Sequence, residues 1–516
     1  MAITRRYFFY GSLLAGAVPA VGFGSTPSLK SAGYKSPNEK LNFAAIGSGG
    51  QGASNISAAA PTENIVALCD VDDRRAATTF NRFEKAAKFR DFRQMLDKEG
   101  KDIDAVIVAT PDHMHATAAV WCMERGKHVY VQKPLVRTVW EARQLREAAT
   151  KYKVATQMGN QGYSNEGTRQ CAEIVWNGDI GNVAEVHAWS DRPMWPQGVT
   201  EIPKEDPVPA TLDWDLWLGM AEKRPYTADG KTEPDRNGGF FYQPFNWRGF
   251  YDFGCGALGD MACHILGAPN MALHLSNRKL VSVECVKKEG VSPFMFPKSS
   301  VLRFDFAAYG NMPALKVFWY DGMKESPKIA GVPDGEWLGD PPSIPRAGGR
   351  GGPGGGRGMG PMRPPGNDFH SPGRIFNWDE FEALKTSTTP LRFPQPDGSL
   401  FIGDKGMLTT GTYGDMTRLI PVEKMKDYQV PLPLLTRSPG HMRDFIRACK
   451  GGDPACSNFD VAAPFVEWML LGVIALRHEG KIEYDPEKMH ITNNTEANKL
   501  LKPAYRKGWE FHTVKS

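Results

Sequence analysis

The chain has 516 residues, of which 41% are hydrophobic and 23% charged, and a net charge of +4. That length supports two or three domains around a sizeable core, and that composition excludes a disordered or fibrous chain. A small net charge without a lysine- or arginine-rich block excludes a nucleic-acid-binding surface from the expectations. The eight cysteines are scattered and form no C-x-x-C, so neither a zinc ribbon nor a dithiol motif is expected and no metal ligand set is assigned.

The N-terminus carries Thr4-Arg5-Arg6-Tyr7-Phe8-Phe9 and then a weakly apolar stretch over 11–24. Paired arginines before an apolar run resemble a twin-arginine export signal, and the run is too short and glycine-rich to span a membrane. The expectation is a periplasmic protein with a signal and polar leader over 1–40. No stable membrane span is expected after cleavage.

Residues 41–70 organise the rest of the chain. An apolar run at 41–46 suits a buried strand, and Gly47-Ser48-Gly49-Gly50-Gln51-Gly52 fits G-x-G-x-x-G. An alanine-rich helical segment comes next, and a second apolar run at 65–69 ends in Asp70. Strand, glycine turn, helix, strand and acid are the parts of a dinucleotide site. Gly47 turns the chain, Gly49 admits a pyrophosphate, Gly52 lets the helix approach the strand, and the helix N-terminus faces the phosphates. Asp70 suits the ribose hydroxyls of NAD; Arg74 and Arg75 just beyond leave NADP open.

Downstream, a helix is expected after Asp70 to about Lys88, another from Asp91, and a strand at 104–109 that ends in Thr110-Pro111-Asp112-His113-Met114-His115. A helix at 116–125, a strand at 128–131 running into Gln132-Lys133-Pro134, a helix at 138–152 and a strand at 154–157 complete the alternation. This predicts a doubly wound parallel sheet over 41–160, with ligands beyond the carboxyl ends of the strands, where Thr110, Pro111 and Lys133 lie. Gln157 to Gln161 sit at the handover to the next domain and are placed near nicotinamide or substrate.

Over 161–516 the expectation is an α+β domain with a large, mostly antiparallel sheet. Strands are read at 183–189, 281–287, 300–306 and 314–319, a hairpin turn at 403–406, and helices at 440–449 and 462–478. A glycine- and proline-rich stretch at 341–366 reads as a surface loop. Asp260 and His264 lie four apart in a helical segment and share a face. Histidine can take a proton from an alcohol, and Lys133 can stabilise charge developing on its oxygen. Tryptophans are abundant after 189; Trp195 and Trp247, with Asp191 and Arg192, are the candidate sugar-binding residues.

These motifs together resemble the Gfo/Idh/MocA oxidoreductases, in the secreted branch similar to glucose-fructose oxidoreductase. The matching pieces are Gly47 to Gly52, Thr110-Pro111 with His115, Lys133-Pro134, the Gly256-to-His264 segment and Tyr505-Arg506-Lys507-Gly508-Trp509. The family usually has Glu-Lys-Pro where this chain has Gln132-Lys133-Pro134. The resemblance implies catalytic Lys133, Asp260 and His264, a cofactor site that includes His115, and a homo-oligomer built through the C-terminal sheet. The expected activity is hydride transfer between a sugar or glycoside hydroxyl, at C3 by analogy, and a tightly held NAD. The alternatives are an NAD-dependent glycoside hydrolase without net redox change and a non-catalytic sugar-binding protein.

Overall fold

The computed structural model describes residues 39–229, 241–343, 375–391, 397–511 and 513–514. The expected export signal and the glycine-rich loop lie outside the described residues except at 39–40 and 341–343. From Lys40 onward the described residues form one unit.

The first sheet has six parallel strands in the order β3-β2-β1-β4-β5-β6. Its strands are β1 (Asn42–Ile46), β2 (Asn64–Cys69), β3 (Ala87–Phe89), β4 (Ala105–Val108), β5 (His128–Val131) and β6 (Thr156–Met158). Central β4, Ala-Val-Ile-Val, is buried along its whole length, as a strand covered on both faces requires. The order reverses between β1 and β4, so the switch-point crevice opens above Gly47 and Thr110. The helix after Asp70 is shorter than its sequence suggests. It ends at Arg82, and Ala87–Phe89 forms edge strand β3, whose Ala-Lys-Phe is too short to show a period.

The second sheet has nine strands in the order β13-β12-β11-β7-β10-β9-β8-β14-β15. These are β7 (Val183–Trp189), β8 (Leu280–Glu289), β9 (Ser299–Phe306), β10 (Leu315–Asp321), β11 (Gly398–Gly403), β12 (Met407–Thr410), β13 (Arg418–Ile420), β14 (Lys481–Asp485) and β15 (His490–Ile491). Only β7 and β10 pair in parallel; the other pairs are antiparallel. In β9 burial alternates along the strand, so one face meets the core and the other is open.

Two helices from the far end of the chain join the sheets. His441–Cys449 places Phe445 edge-on against Phe43 of β1 and Tyr130 of β5, completing one side of the parallel sheet. Phe459–Ala475 is apolar on almost every side and buried along most of its length. It packs on the Val139–Tyr152 helix, on the Gly256–Ile265 helix and on β8. Between β7 and the Gly256–Ile265 helix, an aromatic cluster of Trp214, Trp217, Tyr226, Tyr242, Trp247, Phe250 and Phe253 builds a wall over the mouth of the first sheet. No described helix is long and apolar enough to cross a membrane.

Candidate active site

The glycine turn follows β1. Gly47 has φ +88, and a Cβ there would lie 2.4 Å from the Ala109 carbonyl oxygen. Gly52 lies so close to the turn that its Cβ would sit 2.0 Å from the Gly47 oxygen. The Gln51–Ala59 helix therefore starts tight against β1, and no side chain caps its N-terminus. Uncapped first-turn N–H groups are donors for an anion. Asp70 caps the turn from β2: its Oδ2 accepts from Ser48 N at 2.8 Å and Gly49 N at 3.2 Å, and its Oδ1 from Asp72 N at 3.0 Å. Burial pushes the Asp70 carboxyl up, against these donors.

From this turn a cleft of about 370 Å³ runs along the carboxyl ends of β1, β2, β4 and β5, within the usual range of about 300–1,000 Å³ for small-molecule sites. Gly47, Gly49, Gly50, Gln51, Asp70, Thr110, Pro111 and Lys133 line it on the sheet side, and Trp217, Pro244, Phe245, Trp247 and Arg248 on the aromatic side. Thr110 Oγ1 is buried at this wall without a partner. A glycine cradle without room for side chains, an uncapped helix start, an acid at the end of β2 and an orphaned hydroxyl fit a dinucleotide. The turn and helix start would hold the phosphates and Asp70 the adenosine ribose. Bound there, NAD supplies the hydride acceptor.

At the far end of the cleft Lys133 Nζ donates to Asp260 Oδ1 at 2.8 Å and to the Asp260 carbonyl at 3.0 Å. Arg248 Nε donates to the same Oδ1 at 3.0 Å, and Arg192 Nε stands 3.8 Å from Oδ2. Burial alone would raise the Asp260 carboxyl; Lys133, Arg248 and Arg192 outweigh it and hold the group well below the ordinary carboxylate range. Arg192 is also tied to Asp191 at 2.6 Å. Arg248 is fixed between the rings of Phe245 and Trp247, 4.4 and 4.3 Å from their centroids.

His264 is one turn beyond Asp260 on the Gly256–Ile265 helix, and its ring meets Tyr413 edge-on at 4.8 Å. Its Nδ1 is buried without a partner. Burial, reinforced by Lys133, holds it neutral far below the usual histidine range. Asp260, His264, Asp191 and Arg192 are thus brought together around Lys133.

Three site assignments change. His115 is fully buried: Nδ1 lies 2.8 Å from the Pro134 carbonyl and Nε2 2.9 Å from the Thr110 carbonyl, so it ties together the turns after β4 and β5 and does not line the cleft. Trp195 is buried, donates to Gln197 at 2.8 Å and packs on Phe245, so it supports the aromatic wall from behind. Ser48 is buried, with its N–H donated to Asp70 at 2.8 Å and its hydroxyl to the Cys69 carbonyl at 3.1 Å. Gln157 is likewise spent on His441 and on Ser457 N, whereas the Asn160 amide is buried without a partner. Gln132, in the place of the usual glutamate, donates to Asn55 at 2.8 Å, a bond a carboxylate could not donate. The sequence assigns no role to Arg248, Asp112 or Tyr413. Asp112 has a signal there, a carboxylate at the end of β4; Arg248 and Tyr413 come from irregular segments with none.

Residues 41–160 match the family described as "Oxidoreductase family, NAD-binding Rossmann fold", and residues 176–290 match its "C-terminal alpha/beta domain". Both matched segments are those of the Gfo/Idh/MocA oxidoreductases. An inositol 2-dehydrogenase of Salmonella typhimurium is 28% identical over 152 residues, 28% of this chain and 45% of that protein. A "Glycosyl hydrolase family 109 protein" of Solibacter usitatus is 30% identical over 165 residues, 29% of this chain and 37% of that protein. The chain thus spans less than half the length of these relatives. The WlbA dehydrogenase of Bordetella pertussis, solved with NADH and UDP-GlcNAcA, shares the fold at TM-score 0.51 and 14% identity, over 87% of this chain and 99% of that one.

Proposed function

We propose that this Gfo/Idh/MocA member is an NAD-dependent dehydrogenase acting on a CH–OH group of a polyol or sugar. The observation that carries the reading is the Lys133–Asp260 pair at the end of the cleft that begins at the glycine turn. Two of the three Lys133 N–H groups go to Asp260, which leaves one for a substrate oxygen. As the carbinol carbon gives up hydride, that N–H and the Arg248 guanidinium stabilise the charge growing on oxygen. Asp260 fixes Lys133, and the neutral His264 orients the hydroxyl and can accept a proton. Asp191 and Arg192 stand beside it for further hydroxyls. The relatives named inositol 2-dehydrogenase and levoglucosan dehydrogenase support a polyol or sugar substrate. Oxidation at C3 is the proposed position on a pyranose.

The relatives named as family 109 glycosyl hydrolases favour a second reading, in which oxidation activates a glycoside for elimination and the hydride then returns. Export by Arg5 and Arg6 to the periplasm is part of the proposal, with NAD loaded before export and retained. Association through the large sheet is supported by Val281 and Val286 of β8, each 46% exposed.

The test is on protein purified without added cofactor: released nucleotide is identified after denaturation, and reduced-nicotinamide absorbance is followed as polyols, sugars and glycosides are added to native protein. Lasting reduction by one class supports the dehydrogenase. Sugar release without lasting reduction supports the hydrolase. Protein that arrives free of nucleotide counts against retention, and fractionation of cells tests export.

A further inference from the structure

The Tyr505-to-Trp509 motif takes no part in the Lys133–Asp260–His264 set, yet it joins the two sides of the cofactor cleft. Its backbone makes a tight turn: Trp509 N donates to the Arg506 carbonyl at 3.0 Å, and Gly508 has φ +86, a conformation that favours glycine. One side of the turn meets the aromatic wall. Arg506 N donates to the Met220 carbonyl at 3.0 Å, its Nε to the Gly219 carbonyl at 2.8 Å, its Nη1 to Asp215 Oδ1 at 2.6 Å and its Nη2 to the Asp215 carbonyl at 2.8 Å. A guanidinium there satisfies carbonyls that the end of the Trp214–Leu218 helix leaves open. That helix carries Leu216 and Trp217, which line the cleft.

The other side of the turn meets the parallel-sheet domain. Trp509 is 5% exposed, packs on Phe92 at 6.3 Å and lies 4.2 Å from the Arg93 guanidinium. Phe92 follows β3 and lines the cleft with Asp70 and Arg90. Tyr505 Oη donates to the buried Glu141 at 2.7 Å, which anchors the turn to the start of the Val139–Tyr152 helix. The wall segment is held at its start by backbone bonds, Asp73 N to the Thr211 carbonyl at 3.0 Å and Asp213 N to the Val71 carbonyl at 2.9 Å. Further on, His113 Nε2 lies 3.1 Å from the Trp217 carbonyl and Met220 N 3.4 Å from the Met114 sulfur, and the Arg506 fork closes the end.

We propose that residues 505–509 latch the cofactor cleft. Arg506 and Trp509 are positioning residues that hold Leu216 and Trp217 across from the glycine turn and so slow the escape of bound NADH. Contacts of this kind act on dissociation more than on association. The inference rests on the dehydrogenase reading with a retained cofactor.

The test uses the full chain loaded with NADH, whose fluorescence is followed after excess NAD⁺ is added. Arg506→Gln is expected to release NADH at least ~10-fold faster, the scale of one lost charged hydrogen bond. Arg506→Lys keeps the charge without the fork and falls between Arg506→Gln and wild type. Trp509→Ala also releases NADH faster. Phe511 stacks on Trp140 at 5.3 Å, and neither ring lines the cleft. Phe511→Ala is therefore expected to lower the thermal midpoint and keep the wild-type release rate, whereas a merely structural tail would give release rates that follow the thermal midpoint in every variant. Wild-type release from Arg506→Gln and Trp509→Ala, or release hastened as much in Phe511→Ala, overturns the latch and leaves the dehydrogenase reading standing. A wild type that binds no NADH overturns that reading and this inference with it.

Discussion

Asp260 is one carboxylate facing three cations, and its loss has a cost that its neighbours determine. In Asp260→Asn, Lys133, Arg248 and Arg192 remain in a buried site without their shared counter-charge. Removing one member of a buried ion pair costs on the order of 3–5 kcal/mol, and Lys133 loses its fixed direction. The expected outcome is a lower thermal midpoint together with a turnover drop of at least ~100-fold, the usual least effect of losing a positioned polar group; a variant with normal kcat would separate the pair from catalysis. Lys133 and Asp260 are legible in the sequence because each has a local signature, a strand end before proline and an i, i+4 pair on a helix. Arg248 is not, since its place depends on the rings of Phe245 and Trp247 and on a helix 12 residues away. His115 misleads for the converse reason: its motif marks a turn next to the cofactor, but the ring points inward to two carbonyls.

The glycine turn shows how far one element decides function. The Gly52 position leaves no room for a methyl group against the Gly47 oxygen, so Gly52→Ala must push the Gln51–Ala59 helix away from β1. That displaces the uncapped N–H groups offered to the pyrophosphate, while the strands beneath remain packed. The expected result is protein with near-normal circular dichroism that carries no retained nucleotide and binds added NADH at least ~10-fold more weakly, about 1.4 kcal/mol; isothermal titration measures it. This turn is legible because all its parts lie within 30 consecutive residues. The His441–Cys449 helix is legible as a helix but not as a cover for β1 and β5. Phe445 meets Phe43 across some 400 residues of chain, and periodicity carries no information on a partner so distant. Phe445→Ala is expected to cost about 3–5 kcal/mol by urea denaturation, a core value for a residue so far from the parallel sheet in sequence.

Across the whole molecule, buried titratable groups set two opposing pH responses. Burial lowers His113 to about 3, His115 to about 4 and His441 to about 4. The unfolded chain takes up these protons near 6.5 and the folded chain does not, so these groups remove stability as pH falls from about 6.5 toward 4. Asp112, Asp321 and Asp397 are raised by burial to about 7. Folded protein holds protons there that the unfolded chain releases near 3.9, so their contribution is complete below that value and is lost as pH rises through about 7. The two sets offset one another between about 4 and 7, and single substitutions expose them. Asp321, with Oδ2 accepting from Ser300 at 2.8 Å and Trp319 at 3.3 Å and Oδ1 buried without a partner, lies outside the cleft wall. Asp321→Asn removes one raised carboxyl and leaves the histidines. Relative to wild type it should gain stability between pH 5 and pH 8, by about 3 kcal/mol if the full titration is expressed, and its acid loss should be steeper. Urea midpoints of both proteins at the two pH values measure the difference; a parallel shift would mean that Asp321 does not change its ionisation on folding.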